Sequence, residues 1–93
     1  MEIEGWRAKI DVVDEMLVDL LNRRAEYALE IGKIKKRLGW AVHTPEREEW
    51  ILKEVQRLSK GPLKDEAVKR LFERIIDESR RLERERVEEE ERI

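Results

Sequence analysis

Apolar side chains recur in alternating steps of three and four from the start of the chain: Ile3, Trp6, Ile10, Val13, Leu17, Leu20. That is the period of one helix face, not the strict alternation of a strand. The next beat falls on Arg24, after which the stripe resumes with Tyr27, Ile31, Ile34 and Leu38. Gly39 is a natural C-terminal stop, so a first helix is predicted from about residue 4 to about residue 38. A short loop, "WAVH", follows. Thr44-Pro45-Glu46 then offers a second start, with threonine as N-cap, proline at the first helical position and an acid in the first turn. The buried side of this second helix is expected to carry Ile51, Val55 and Leu58, with Leu52 flanking. "SKGPLKD" breaks the chain again. A third helix is predicted to begin near Asp65 and to bury Val68, Leu71, Phe72, Ile75, Ile76 and Leu82. The tail "ERERVEEEERI", about residues 85–93, reads as a solvated helix extension that frays.

Composition agrees with an all-α chain and narrows the chemistry. Two prolines and four glycines in 93 residues leave little material for strands and turns. The length fits one small domain, residues 1–93, with a modest core. There is no cysteine and one histidine, His43, so no disulfide framework is available and a zinc or iron centre is not expected. No signal-peptide pattern and no membrane-length apolar run occur, so a cytoplasmic protein is expected, with no membrane partner. Charged residues make up 47% of the chain, yet the formal net charge is −2. Such a balance suggests surface ion pairing and gives no reason to expect nucleic acid as a partner.

Length bears on assembly. A helix of about 35 residues spans roughly 50 Å, whereas a compact chain of this size has a diameter of about 30–35 Å. Two shorter helices cannot cover both apolar halves of so long a first helix. Pairing with a second copy resolves this, and an intertwined homodimer is expected.

The polar residues on otherwise apolar faces carry the functional signal. Lys35 lies within about 20° of Arg24 on the same helix face, roughly 16 Å away by rise. Between them lie Ala28 and, to one side, Gly32. A mid-helix glycine costs about 1 kcal/mol relative to alanine, and both close helix packing and a ligand floor would account for Gly32. In the second helix Arg47 precedes Ile51 by one turn, with Glu48 adjacent. In the third, the beat Val68, Phe72, Ile75 lands on Ser79, with Glu83 one turn later. Taken singly, each has a dull explanation: a snorkelling arginine, a serine bonded to its own helix, an interhelical ion pair. Together they are too cationic for the acids among them to neutralise, and an anionic ligand held within the bundle is the simplest remedy. Arg7 lies about 25 Å from Arg24 by rise, so both can meet one small molecule only if Arg7 comes from the other subunit. His43 is expected to face solvent, and Trp6, Trp40 and Trp50 to serve as packing or loop anchors.

The segments "WRAKIDVVDEMLVDLLNRRAEYALEIGKIK", "VHTPEREE" and "LFERIIDESRRLE" resemble the three helices of the all-helical chorismate mutases, over roughly residues 4–84. The ordered set Arg, Arg, Lys, Arg-Glu, Ser, Glu falls at that family's spacings. The resemblance implies a cofactor-free, metal-free isomerase that converts the chorismate dianion to prephenate, on the route to phenylalanine and tyrosine, in a dimer whose sites each borrow an arginine from the other subunit. By position that arginine is Arg7. Arg24 and the partner's Arg7 would pair with the two substrate carboxylates, and Arg47 would help set the charge of the pocket. Lys35 would donate to the ether oxygen, Glu48 would accept the ring hydroxyl, Ser79 would lie near the ring carboxylate, and Glu83 would also face the ether oxygen. Two positions depart from common patterns. Some bacterial members carry glutamine where this chain has Glu83, and some carry aspartate where it has Thr44. A carboxyl at Glu83 is useful to an oxygen gaining negative charge only when protonated. Thr44 is expected to act as the helix N-cap, with its backbone N–H near the ring hydroxyl.

Two other readings share these residues. Isochorismate-pyruvate lyases have the same fold and nearly the same pocket, but their loop after the first helix tends to supply a lysine that "GWAVHT" lacks. A non-catalytic helical dimerisation domain, or a regulatory one serving a partner synthase, is the other alternative.

Overall fold

The structure is a computed structural model that describes residues 2–92. It consists of three helices in chain order, α1 (Glu2–Leu38), α2 (Pro45–Leu58) and α3 (Asp65–Glu91). α1 begins two residues earlier than its stripe predicts, with Glu2 and Glu4 in its first turn, where negative charge favours a helix start. Its end is the expected one. Gly39 adopts φ +72°, its N–H reaches Lys36 O at 3.2 Å, and the Trp40 N–H reaches Lys35 O at 2.8 Å. That pair of bonds is a Schellman cap, which glycine enters without a Cβ penalty.

α3 is the element on which the other two pack. It carries the three buried side chains among the described residues, Val68, Ile76 and Glu83, spaced about two turns apart along one stripe. Gln56 Nε2 donates to Asp65 O at 3.3 Å and Glu48 faces Arg80, so α2 runs antiparallel to α3. Arg24 meets Ser79 and Lys36 meets Glu90, so α1 and α3 run in the same direction. The tail is therefore less free than its charge suggests. It stays helical to Glu91, and Glu90 reaches back to Lys36 at 2.9 Å. The surface ion pairs expected from the composition are present, as in Asp19–Arg23, Glu30–Lys33 and Glu49–Lys53.

The apolar stripes are only partly covered. Ile51 and Val55 of α2 are half-buried, but Leu58 is 57% exposed, and on α3 Leu71 is 54% exposed. Leu58 is the last residue of α2. The tryptophans do not pack inside this chain either: Trp6, Trp40 and Trp50 stand at 64%, 66% and 53% exposure. The largest open region is the first half of α1, where Ile3, Trp6, Ile10, Val13, Leu17 and Leu20 all face outward. The molecule measures 55 × 29 × 15 Å with a radius of gyration of 16.6 Å, against about 12 Å for a compact chain of this length. It exposes 8094 Å², where a folded monomer of this mass would expose about 5,700 Å².

Candidate functional site

The half of α1 that does meet α3 is built from small residues. Ala25, Ala28 and Gly32 are all half-buried. At Gly32 a Cβ would stand 3.4 Å from Glu83 Cγ and 3.6 Å from its Cδ and Oε2. Of the two readings open for this glycine, the structure supports close helix packing, and the neighbour it accommodates is a site residue. The same approach brings Arg24 Nη1 to Ser79 Oγ, where it donates a hydrogen bond at 3.0 Å. Burial first, and the Arg47 charge second, hold the Arg24 guanidinium below its ordinary pKa. Two arginines repelling each other across a partly dry space favour an anion between them.

Lys35 fastens the connection that follows its helix. Its Nζ donates to Val42 O at 2.9 Å and to Thr44 Oγ1 at 3.2 Å, which leaves the ammonium one further N–H. Thr44 corrects an expectation here. It does occupy the N-cap position of α2, and its carbonyl accepts from the Glu48 N–H at 3.1 Å, but its side chain makes no cap bond. The hydroxyl turns instead to Lys35, and Pro45 at N1 supplies the preset φ that starts the helix.

Glu48 is held from two sides. Oε1 lies 3.5 Å from His43 Nε2 and Oε2 lies 3.5 Å from Arg80 Nε. His43 faces solvent as expected, its side chain 54% exposed, with Glu48 at its inner edge. Arg47 is exposed rather than inward, its guanidinium 4.6 Å from the Trp50 ring centroid. That contact parks a cation at the mouth of the site.

Glu83 is the deepest charged group, at 8% exposure. Its Oε2 is buried and accepts no hydrogen bond. Burial raises its pKa above the ordinary glutamate value, and the nearby Lys35 charge opposes that rise without cancelling it. A carboxyl so placed favours the protonated form, which can donate.

These residues converge on one cleft of about 440 Å³. Arg24, Lys35, Thr44, Arg47, Glu48, Ser79 and Glu83 all line it, joined by Arg80 and by an apolar surface of Tyr27, Ala28, Ile31, Trp40, Val42, Ile51 and Ile76. The size suits a small organic molecule. Its four cations outnumber its two carboxylates, which suits an anion. Arg7 is not among the lining residues of this chain and lies on the exposed first half of α1. Periodicity did not single out Arg80, because it follows Ser79 off the beat, its pair with Asp77 is an ordinary one within its own helix, and Glu48 reaches it only in the fold. Among the described residues no cluster of three or more acids and histidines is placed to hold a metal, and no helix is long and apolar enough to cross a membrane.

Fold and cleft together define a class, helical proteins with a cationic cleft of small-molecule size between their helices. The family described as chorismate mutase type II matches residues 6–84, and the chain belongs to that family. It is 45% identical over 78 residues, 84% of its length, to a bifunctional chorismate mutase/prephenate dehydratase of Neisseria gonorrhoeae, of which the match covers 21%. It is 31% identical over 84 residues, 89% of its length, to a chorismate mutase of Methanocaldococcus jannaschii, covering 85% of that protein. A chorismate mutase from Helicobacter pylori, solved in complex with prephenate, superposes with a TM-score of 0.86 at 32% identity, covering 94% of each chain. Against the bifunctional relatives, this chain spans about a fifth of their length.

Proposed function

We propose that this chain is a chorismate mutase that rearranges chorismate to prephenate, and that it does so as a homodimer. The observation that carries the reading is the half-buried Arg24. It occupies a core position of α1, its pKa is lowered by burial and by Arg47, and it lines a cleft with Lys35 and the buried Glu83.

The reaction is a Claisen rearrangement. The carbon–oxygen bond of the enolpyruvyl ether breaks as a carbon–carbon bond forms, and negative charge grows on the ether oxygen. No nucleophile, metal or redox group is called for. The protein must fold the enolpyruvyl arm over the ring and stabilise that oxygen. Arg24 clamps one substrate carboxylate and Arg7 from the second subunit clamps the other, so that the reacting carbons are held within reach. Arg47 swings from its perch on Trp50 to complete the anion site, and Ser79 lies beside the ring carboxylate. Lys35, two of whose N–H groups are fixed on the loop, directs its third to the ether oxygen. Protonated Glu83 gives that oxygen a second donor. Glu48 accepts the ring hydroxyl, with the backbone N–H of Thr44 near it. A millionfold acceleration needs about 8 kcal/mol, within the reach of these two effects together.

The uncovered half of α1 supports the dimer. The excess exposed surface of roughly 2,400 Å² is of the size that obligate dimers bury, and the face that exposes it is a continuous apolar stripe. A second α1 laid against it would bring Arg7 to the cleft of its neighbour. Joined to other catalytic domains, as in the bifunctional relatives, the same unit would deliver prephenate to a partner enzyme.

The deciding experiment is turnover of chorismate by the purified protein, with a chelator present and no cofactor added, and the product identified by NMR. Prephenate as product, lost on Arg24→Ala in a protein that keeps its helicity, is the expected result. No turnover by a folded protein overturns the assignment. Pyruvate release from isochorismate in place of prephenate formation would reassign it to the lyases.

A further inference from the structure

A carboxylate in a cleft meant for a dianion is a liability. Glu48 would repel the ligand, and it lies beside Arg47, one of the cations that should meet it. The geometry around Glu48 shows how the charge is managed. Arg80 stands on α3 with its Nη2 on Asp77 of the same helix and its Nε 3.5 Å from Glu48 Oε2 on α2. The side chains of Arg80 and Glu48 are 29% and 20% exposed, against 53% for Asp77. The Nε–H is buried and has no hydrogen-bond partner. An arginine needed only for a surface pair with Asp77 would leave that N–H in water. Here the fork is turned inward, a few tenths of an ångström beyond a full hydrogen bond to Glu48.

We infer that Arg80 is a positioning residue, acting through Glu48. It offsets the charge of that carboxylate from the α3 side and fixes its orientation, so that Glu48 accepts the substrate hydroxyl without drawing Arg47 or Arg24 away from the substrate carboxylates. Asp77 anchors the far side of the guanidinium, and His43 faces the other Glu48 oxygen from the loop. The role rests on the mutase reading for the identity of the ligand, and on the cleft alone for the arrangement of charges.

The test is a double-mutant cycle of Arg80→Met and Glu48→Gln. Glutamine keeps an acceptor for the hydroxyl and loses the charge. Two readouts are taken, KM and kcat for chorismate, and the dissociation constant of prephenate by calorimetry. Arg80→Met alone is expected to raise KM and the prephenate dissociation constant by about tenfold to a hundredfold, the range for leaving a partly buried charged group without its partner, with kcat changed by less than about threefold. In the Glu48→Gln background the same substitution should change either constant by less than about threefold, because the charge it offsets is gone. Arg80→Lys should recover most of the affinity. Equal penalties in both backgrounds, or a fall in kcat at constant KM, overturn the assignment. Should Arg80→Met lose its helicity, Arg80→Gln carries the same cycle with a polar side chain and no charge. The two readings fail separately. Absent turnover with a coupled binding cycle sinks the mutase reading and leaves Arg80 in its role. An additive cycle with normal turnover sinks the role of Arg80. A wild type that neither binds prephenate nor turns over chorismate sinks both.

Discussion

The two halves of α1 have the same apolar period and different fates. Through residue 21 every described side chain of the helix is exposed, and the beats of its stripe are uniformly apolar. From Arg24 onward the helix packs on α3. There the covered positions are Arg24, Ala25, Ala28, Leu29, Gly32 and Lys35, while the apolar beats Ile31 and Ile34 remain 52% and 46% exposed. So the half with the better stripe has no cover within the chain, and the half with charges in its stripe has some. The difference teaches that one helix does two jobs. In the proposed dimer its first half is the assembly surface, and it carries Arg7 across to the neighbouring cleft. Its second half is a wall of the site, where small residues let α3 come close and cations wait for an anion.

The largest effect should come from spoiling the first half. Leu17→Glu replaces an apolar beat by a good helix former at a position 49% exposed in the isolated chain. A monomer would tolerate it within about 0.5 kcal/mol. In a symmetric dimer the change is made twice, each costing about 1.5–3 kcal/mol of lost burial. The dimer dissociation constant should therefore rise by roughly two to four orders of magnitude. Analytical ultracentrifugation should show monomer at concentrations where the wild type is dimeric, and mutase activity should fall with the dimer fraction. Unchanged assembly would remove the α1 stripe as the dimer interface, and the role of Arg7 with it.

Next in size is Arg24→Ala, which alters the second half without touching the first. Loss of a preorganised clamp should lower kcat/KM by about a hundredfold to a thousandfold. Assembly should be unchanged. The thermal midpoint should change little, because alanine removes a partly desolvated cation beside Arg47 together with the hydrogen bond it donates to Ser79. A large fall in melting temperature together with the activity would make Arg24 a structural residue instead.

Glu83 gives a smaller effect with a definite sign. Its folded pKa is raised by burial, with Lys35 opposing. Lys33, Lys36, Arg86 and Glu90 stand around its other side. A raised carboxyl pKa means that its favourable share of stability is complete below the ordinary glutamate range. That share is lost as pH rises through the raised value. Glu83→Gln should therefore melt a few degrees above wild type at neutral pH, and the gap should close at acid pH. Activity follows the same proton. Wild-type kcat/KM should climb as pH drops into the mildly acidic range, and Glu83→Gln should flatten that climb. Full wild-type activity well above neutrality would refute the requirement for a protonated carboxyl.

Much of this was legible before the fold was known, and the reasons are local. Three-and-four spacing, Gly39 and Thr44-Pro45 are signals read within a few residues, and they placed the helices to within two residues at the start of α1. The out-of-place polar side chains at Arg24, Lys35 and Ser79 could be noticed because each falls on or beside a beat of its helix. What stayed hidden depends on contacts between helices. The hydroxyl of Thr44 has two uses of similar strength, and only the position of Lys35 decides between them. Arg80 looks like any other member of a charged face until α2 sets Glu48 against it. The exposure of Leu58 and Leu71 reflects how far the neighbouring elements extend, which no periodicity contains.

Gly32 offers the finest test of how the two halves differ. Glycine within a helix costs about 1 kcal/mol relative to alanine; Gly5, in the first half, has nothing within 4 Å of the place a Cβ would take. In the second half the absent side chain faces Glu83, and an added Cβ would lie 3.4 Å from Cγ and 3.6 Å from the carboxyl atoms. Those are ordinary van der Waals distances, so one methyl fits. Gly32→Ala should then stabilise the protein by up to about 1 kcal/mol, or roughly 4–8 °C. It should leave KM within about twofold, because the methyl meets Glu83 and not the ligand. A branched chain at the same place, Gly32→Val, should push Glu83 off its position and lower kcat. If Gly32→Ala instead raises KM strongly at constant melting temperature, the glycine is the floor of the ligand site, and the small residues of α1 serve the substrate more than the helix packing.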